Sequence, residues 1–539
     1  MIDSFQILAA WEGSKLHWLD MVILFGYFGI LVAMGLYASR KIKSSAEFMV
    51  AGGKIPGWAA GLSVMCAYTS SLSYIATPAA AYDSNWHPAL FALCMTPVAI
   101  FVSIFIIPYY RKIKLISVYG FLEKRLGGWG RVYAAIAFML YMVGRIALIL
   151  YLACILLGQF VNLTSDPIHN LMLLICIIGI VTIFYTLLGG MEAVIWADVM
   201  QSVIMVGGVL ICAGILTYQI TKGPDPAIVG AWDAGKFDLG SWDFTLTKRT
   251  VWLMLLYGLT ENLRNLMADQ NYVQKYATCA SNKQAAKSIW VATILYTIMT
   301  FLFVYIGTAL WSYYGPNMVK DGTIAKLDDI FPYYIANNLF IGLRGLIIAA
   351  IMAAAISTIA TAFNASATVW LQDFHQRFIN KNLTDKQSIV VLRTVTVIWG
   401  LLGILFALFA ALYAKKALDI WWQISGIFGG GILGLFLLAL FKVRLRFWRG
   451  IASIGANILV VCWGTFARQG TIEALNAREA WQWLGSILEA IKCPLDPIIT
   501  GATATLGMVL VAMAFGLFNR NMPLPEELEQ QAESQPTEQ

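Results

Sequence analysis

Charge is what this 539-residue chain has least of: Asp, Glu, Lys and Arg together make up 12% of it, against the roughly 25% usual in soluble domains. That shortage excludes an ordinary soluble globular protein. Histidine is scarcer still. The four present, His17, His87, His169 and His375, lie far apart and near the ends of apolar stretches, which argues against the convergent His, Cys or carboxylate constellation that a membrane-embedded enzyme needs. Eight cysteines, Cys66, Cys94, Cys154 and Cys176 among them, are scattered through apolar segments with no CxxC spacing, so neither a disulfide framework nor a zinc site is indicated. The net charge is +7, yet the basic residues sit in short loops and form no patch interleaved with aromatics that would hold a nucleic acid. The first apolar run lacks a small-residue cleavage site and is expected to stay as a span. The polar tail from Pro523 to Gln539 is too short for a signalling domain and is expected to be disordered.

What remains is apolar. Hydrophobic residues make up 59% of the chain and the mean hydropathy is +0.71, which describes an all-α polytopic membrane protein embedded in a lipid bilayer. Runs long enough to cross about 30 Å of hydrocarbon predict about thirteen transmembrane helices, at 18–39, 55–81, 87–110, 131–161, 168–188, 194–218, 250–275, 286–313, 328–372, 388–413, 419–441, 448–467 and 496–518. The basic clusters Arg40 to Lys43, Arg111 to Lys114, Lys124 with Arg125, Lys283 with Lys287, Arg377 with Lys381, and Lys442 to Arg446 fall on one side when spans alternate. The positive-inside rule makes that side cytoplasmic. The expected location is the bacterial inner membrane, with the N-terminus outside and the C-terminus inside. Oligomeric state is not legible; a monomer suffices.

Three features interrupt the spans. CysAlaTyrThrSerSer at Cys66 to Ser71 breaks the second, GluAsnLeuArgAsn at Glu261 to Asn265 the seventh, and SerThrIleAlaThr at Ser357 to Thr361 places hydroxyls in the ninth. Hydroxyls and unwound carbonyls at bilayer depth have no water to satisfy them, and one use for them is to replace a cation's hydration shell. The alternative for a single break is a kink satisfied by a neighbouring helix. The breaks in the second and seventh spans fall five helices apart, the pattern of two inverted repeats whose first helices unwind at the midplane. The expectation is a LeuT-type 5+5 inverted-repeat core. One extra helix with its loop (1–53) precedes repeats at 54–218 and 250–442, which are separated by an extracytoplasmic loop (219–249). Two further helices (443–520) and the tail (521–539) follow. A channel would need a continuous polar pore or charge ring, whereas these interruptions are local.

GlyGlyLysIleProGlyTrpAlaAlaGly at Gly52 to Gly61, GlyGlyMetGluAlaValIleTrpAlaAspValMetGln at Gly189 to Gln201, and AlaAlaAlaIleSerThrIleAlaThrAlaPheAsnAla at Ala353 to Ala365 together resemble the sodium:solute symporter family, in the right order along most of the chain. Within it, GlyTrpAlaAlaGly and the pair Gly144 and Arg145 are similar to the bacterial sodium-coupled sialic acid transporters. The resemblance implies Na+-coupled symport of a small organic solute into the cell, most simply a carboxylate-bearing sugar such as sialic acid; the alternative is a neutral sugar or a monocarboxylate.

A dehydrated Na+ needs about five or six oxygen ligands, and neutral ones release it readily. Ser357 and Thr358 offer adjacent hydroxyls, and the resemblance completes the cage with carbonyls of Cys66, Thr69 and Ala354. Read from the residues alone, Ser357 and Thr358 can equally bond back to carbonyls a turn earlier. A second Na+ site in the sialic acid transporters maps onto Asp198, Ser357 and Thr361, but Ala360 stands where a further hydroxyl is required, so one Na+ per solute is expected. Asp198 is otherwise a carboxylate capping the turn after Gly189 and Gly190.

For the solute, Arg145 is mid-span among apolar residues and needs either a protein carboxylate, such as Glu261 or Asp198, or an anionic ligand. By resemblance it grips the solute carboxylate. Ser70, Ser71 and Ser73 flank the first break, and Asn262 and Asn265 offer amides suited to polyols. Glu261 and Arg264, three apart on one helical face, can bind solute or simply each other. Tyr68 and Ala92 stand where the sialic acid transporters carry a threonine and a glutamine, so the pocket around the carboxylate anchor differs. Trp421, Trp422 and Gln423 are candidates for an aromatic outer gate with a solute contact at Gln423, although tryptophans also anchor spans at interfaces.

Overall fold

A computed structural model describes residues 16–517 except 41–43, 114–115, 223–226, 325, 414–427, 442, 444, 446 and 477–480. Apart from one isolated bridge between Ile55 and Cys279, its regular structure among the described residues is helical. Among the described residues, ten helices are long and apolar enough to cross a bilayer. Large apolar side chains such as Val22, Phe25, Leu405 and Phe409 lie exposed on their outer faces, as expected where lipid rather than water is the solvent.

The first helix among the described residues is α1 (Trp18–Ser39). Its Asp20 is fully buried, and Oδ1 accepts from the backbone N–H groups of Gly342 and Gly345, both at 2.8 Å. These are first-turn donors with no intrahelical partner, so α1 caps the helix that carries the Ser357 cluster. A Cβ at Gly345 would lie 2.6 Å from the Asp20 Cα, which requires glycine there. Next come the two halves of the second span, α2 (Gly57–Tyr68) and α3 (Ser71–Asp83). They are followed by α4 (His87–Lys112), α5 (Gly128–Gly158), and then α6 (Pro167–Leu187) and α7 (Gly189–Thr221). The last two are continuous but for Gly190, whose φ of +53° few other residues adopt.

The seventh span is α8 (Val251–Leu263) and α9 (Gln270–Ala277), joined by a π-helical turn at Arg264–Ala268 and an extended residue, Asp269. The interruption expected at Glu261 to Asn265 therefore begins inside that stretch, at Arg264, and runs on to Asp269. Asn262, still within α8, donates its side-chain amide to the carbonyls of Gly258 at 2.8 Å and Phe91 at 2.9 Å. Asp269 ends it by starting a new helix, its Oδ1 accepting from the Asn271 N–H at 2.9 Å.

After α10 (Asn282–Tyr314), the single span expected at 328–372 is two helices, α11 (Ile330–Asn338) and α12 (Leu343–Val369). They are separated at Gly342, whose φ of +86° leaves the helical region. The longer helices that follow are α13 (Asp385–Tyr413), α14 (Gly430–Leu440), α15 (Phe447–Phe466) and α16 (Thr500–Leu517). Helix α12 is the core: every residue from Ile347 to Val369 is buried.

The ends of the broken spans remote from their breaks are tied together. Ile55 N–H donates to the Thr278 carbonyl at 3.1 Å, and Gln274 Nε2 reaches Asn364 Oδ1 at 2.8 Å and Thr368 Oγ1 at 2.9 Å.

Candidate ion and solute site

The break between α2 and α3 consists of two extended residues, Thr69 (ψ 104°) and Ser70 (ψ 176°). It releases helix-end carbonyls at the depth of the core, and consecutive ones face different partners. The Cys66 carbonyl faces Ser357 Oγ on α12 at 3.4 Å. The Ala67 carbonyl accepts from Arg145 Nη2 on α5 at 3.0 Å and from Tyr272 Oη on α9 at 3.2 Å.

Around the first carbonyl the oxygens gather. Ser357 Oγ lies 3.3 Å and Thr358 Oγ1 3.0 Å from the Ala354 carbonyl, and all four residues are fully buried. Both back-bonding within α12 and convergence on the break are thus present. The two are compatible, because a hydroxyl that donates its proton to a carbonyl keeps its lone pairs for a cation. The donor set is neutral and oxygen-based, which fits a hard monovalent cation held weakly enough to leave. Thr69 is buried at the break itself, with Oγ1 turned to Met65 Sδ at 3.6 Å.

Asp198 is not joined to Ser357 or Thr361. Thr361 Oγ1 donates back to the Ser357 carbonyl at 2.8 Å. Asp198 Oδ2 accepts from Lys275 Nζ at 2.8 Å and from Ser63 Oγ at 2.5 Å. The carboxylate therefore neither caps the turn after Gly190 nor meets the hydroxyls of α12.

Around the second carbonyl lies a buried charge network. Arg264 Nε and Nη2 grip Glu261 at 3.1 and 2.6 Å, the local pairing open from the sequence. Arg264 Nη1 reaches Asp269 Oδ2 at 3.2 Å, and Nη2 reaches Asn265 Oδ1 at 2.9 Å and Tyr141 Oη at 3.2 Å. Arg145 shares the same Asp269 oxygen at 4.0 Å and donates to Tyr272 Oη at 3.0 Å. Among the described residues the carboxylate paired with Arg145 is thus Asp269 rather than Glu261 or Asp198. Tyr68 packs between Tyr272 and Tyr296, with ring centroids at 4.6 and 5.0 Å. A cleft bordered by Tyr257, Glu261, Arg264, Gly429 and Thr505 adjoins the network.

The other expected solute contacts divide. Ser70 and Ser73 are engaged in a reciprocal cap at the start of α3, while Ser71 Oγ and Asn262 Oδ1 are buried with no hydrogen-bond partner among the described residues. Trp421, Trp422 and Gln423 lie outside the described residues. Sequence reasoning missed Ser63, Asp269, Tyr272 and Lys275. A signal existed: Asp269 to Lys275 packs Asp, two Gln, Asn and Lys into one span, and all five are buried, which a lipid-facing helix would not tolerate.

The model of the sodium:solute symporter family matches residues 48–450. The chain belongs to the sodium:solute symporter family. It is 31% identical to the sodium/sialic acid symporter NanT of Aliivibrio fischeri over 84% of this chain and 88% of that protein. It is likewise 31% identical to the sodium/sialic acid symporter SiaT of Proteus mirabilis, over 82% and 88%. Against the human sodium-coupled monocarboxylate transporter 1 the identity is 27%, over 84% and 73%. Among solved structures, a substrate-bound, outward-open Na+-coupled sialic acid symporter superposes with a TM-score of 0.79 at 28% identity, covering 93% of this chain and 98% of that one. The fold is therefore LeuT-type and the protein a multi-pass membrane transporter. Sodium is the coupling ion of the family to which it belongs.

Proposed function

We propose that this protein carries a carboxylate-bearing sugar such as sialic acid into a bacterial cell together with Na+, by alternating access. The observation that carries this reading is the adjacency at the first break: Cys66 O faces the α12 hydroxyl of Ser357 at 3.4 Å, and the next carbonyl, Ala67 O, holds the guanidinium of Arg145 at 3.0 Å. Na+ binds at the carbonyls of Cys66, Thr69 and Ala354 with the hydroxyls of Ser357 and Thr358. The solute carboxylate meets Arg145, and the rest of the solute meets side chains among Ser71, Tyr68, Asn262 and Asn265. An anion that offsets the Arg145 charge relieves its repulsion of a cation one residue away, which couples the two bindings electrostatically. The relatives' names agree in chemistry, since sialic acid and monocarboxylates both bring one carboxylate. We further infer repeats at 54–218 and 250–442 and an N-terminus outside, which makes the tied ends of α2 and α9 the cytoplasmic side.

The test is uptake of radiolabelled sialic acid by proteoliposomes with an inward Na+ gradient or with choline in its place, alongside calorimetric binding of the acid and of its neutral amide. Sodium-dependent uptake with a strong preference for the acid is expected. Equal affinity for acid and amide would reject the role of Arg145, and uptake indifferent to choline would reject sodium coupling.

A further inference from the structure

A second charge pair, apart from the solute network, is buried where three helices cross. Asp198 on α7 and Lys275 on α9 are both 0% exposed. Lys275 Nζ donates to Asp198 Oδ2 at 2.8 Å and to the Ser63 carbonyl on α2 at 2.7 Å, and Ser63 Oγ donates to the same Oδ2 at 2.5 Å. Asp198 Oδ1, equally buried, has no hydrogen-bond partner among the described residues. The pair adjoins the proposed sodium oxygens. Ser63 and Cys66 lie one turn apart on α2, Cys66 Sγ is 3.4 Å from the Asp198 carbonyl, and Cys66 O faces Ser357.

We infer that Lys275 is a tethered cation: its ammonium fills a place beside the sodium site that a monovalent ion from solution would otherwise take. It thereby fixes one Na+ per transport cycle. This rests on the proposed sodium site at Ser357 and Thr358. A carboxylate at this depth is costly unless a positive charge accompanies it. A free Na+ would have to be dehydrated and delivered in every cycle, whereas an ammonium on a flexible four-carbon stem arrives with α9 and meets a carboxylate and a carbonyl at hydrogen-bond distance. Because the charge of Asp198 is neutralised within the chain, nothing there calls for a second ion. Remove the ammonium and that changes. Lys275→Met keeps the approximate shape but leaves both Asp198 oxygens, the Ser63 carbonyl and the Ser63 hydroxyl as an anionic oxygen set, which is the donor chemistry a hard cation takes.

The experiment is equilibrium binding of radioactive sodium to the purified full-length chain, counted as ions per chain, with thermal unfolding at increasing Na+ as a second readout. The wild type is expected to bind one ion, Lys275→Met two, and Lys275→Met with Asp198→Asn one. Adding Ser357→Ala and Thr358→Ala to Lys275→Met should remove the original ion and leave the new one. Two ions in the wild type overturn the tethered-cation assignment while the sodium-coupled reading stands, and folded Lys275→Met with a single ion overturns it as well. Where Lys275→Met does not fold, the wild-type count and the neutral double variant decide. A wild type that binds no sodium overturns the sodium site itself, and this assignment with it.

Discussion

At Arg145 and Arg264 two guanidiniums share a single carboxylate oxygen of Asp269, at 4.0 and 3.2 Å, whereas among the described residues a single cation, Lys275, meets the Asp198 carboxylate, at 2.8 Å. The first cluster reaches the outside through Glu261, 19% exposed, while both members of the second are 0% exposed. Both obey the rule that charge in a membrane is paired, yet they suit different tasks. A guanidinium whose ion pair with a described carboxylate is stretched and shared suits an incoming anion, because Asp269 keeps Arg264 at 3.2 Å when Arg145 turns to another partner. An ammonium bonded to both a carboxylate and a carbonyl loses two strong contacts if it lets go. Sharing and stretching, rather than burial alone, are what set the first cluster apart and make it the one proposed above to meet the solute.

The comparison breaks most severely where the ion itself is removed. Ser357→Ala with Thr358→Ala deletes two of about five oxygens together, so sodium dependence of uptake should disappear while the protein still elutes as a folded, monodisperse species. Uptake that still responds to the sodium gradient in this double variant would move the ion elsewhere.

Next in size is the solute anchor. Arg145→Lys retains the charge but not the planar fork that matches a carboxylate in two bonds. Binding of the acid, measured by calorimetry, should weaken about tenfold or more, corresponding to about 1.4 kcal/mol or above, and Arg145→Ala should be worse. If Arg145 serves only to hold α5 against the break, its variants should instead lose folded protein and leave the acid-over-amide preference intact in what survives.

A smaller effect is expected at the open edge of the same cluster. Glu261→Gln leaves Arg264 with Asp269, Asn265 and Tyr141 as partners and leaves Arg145 untouched. Since Glu261 is partly exposed, thermal stability should fall by no more than about 1 kcal/mol. Affinity for the acid should stay within a few-fold. A loss as large as that of Arg145→Lys would make Glu261 part of the solute site.

Much of this was legible in the sequence because it rests on local composition. Span lengths follow from apolar runs, and the α2–α3 break follows from a polar cluster inside one, since such residues at bilayer depth must have partners. The α8–α9 break was legible only in its first half, for the converse reason. Of the conspicuous polar residues, Glu261 and Asn262 remain in α8 and Arg264 with Asn265 open the π-helical turn, while Asp269, a less conspicuous residue, completes the break by capping the helix that follows. Long-range partners were the least legible. Arg145 and Asp269 stand over a hundred residues apart in the chain, as do Ser63 and Asp198, and periodicity carries no information about which helices cross.

The smallest effect is expected at Thr361. Its hydroxyl donates to the Ser357 carbonyl one turn back at 2.8 Å, an internal bond of α12 that leaves no role in holding Asp198, whose Oδ2 is taken by Lys275 and Ser63. Position 360, one residue before it, is a buried alanine and offers no hydroxyl to assist. Thr361→Ala should therefore leave the sodium dependence of uptake with a Hill coefficient near one, as in the wild type, and cost on the order of 1 kcal/mol of stability for the lost buried methyl and hydroxyl. The contrast with Lys275→Met is the informative part. If Asp198 is neutralised by the ammonium, truncating a nearby hydroxyl changes nothing in the ion count, whereas truncating the ammonium adds an ion. A wild-type Hill coefficient near two that falls to one in Thr361→Ala would reverse the order of the two effects and place a mobile ion between Asp198 and α12.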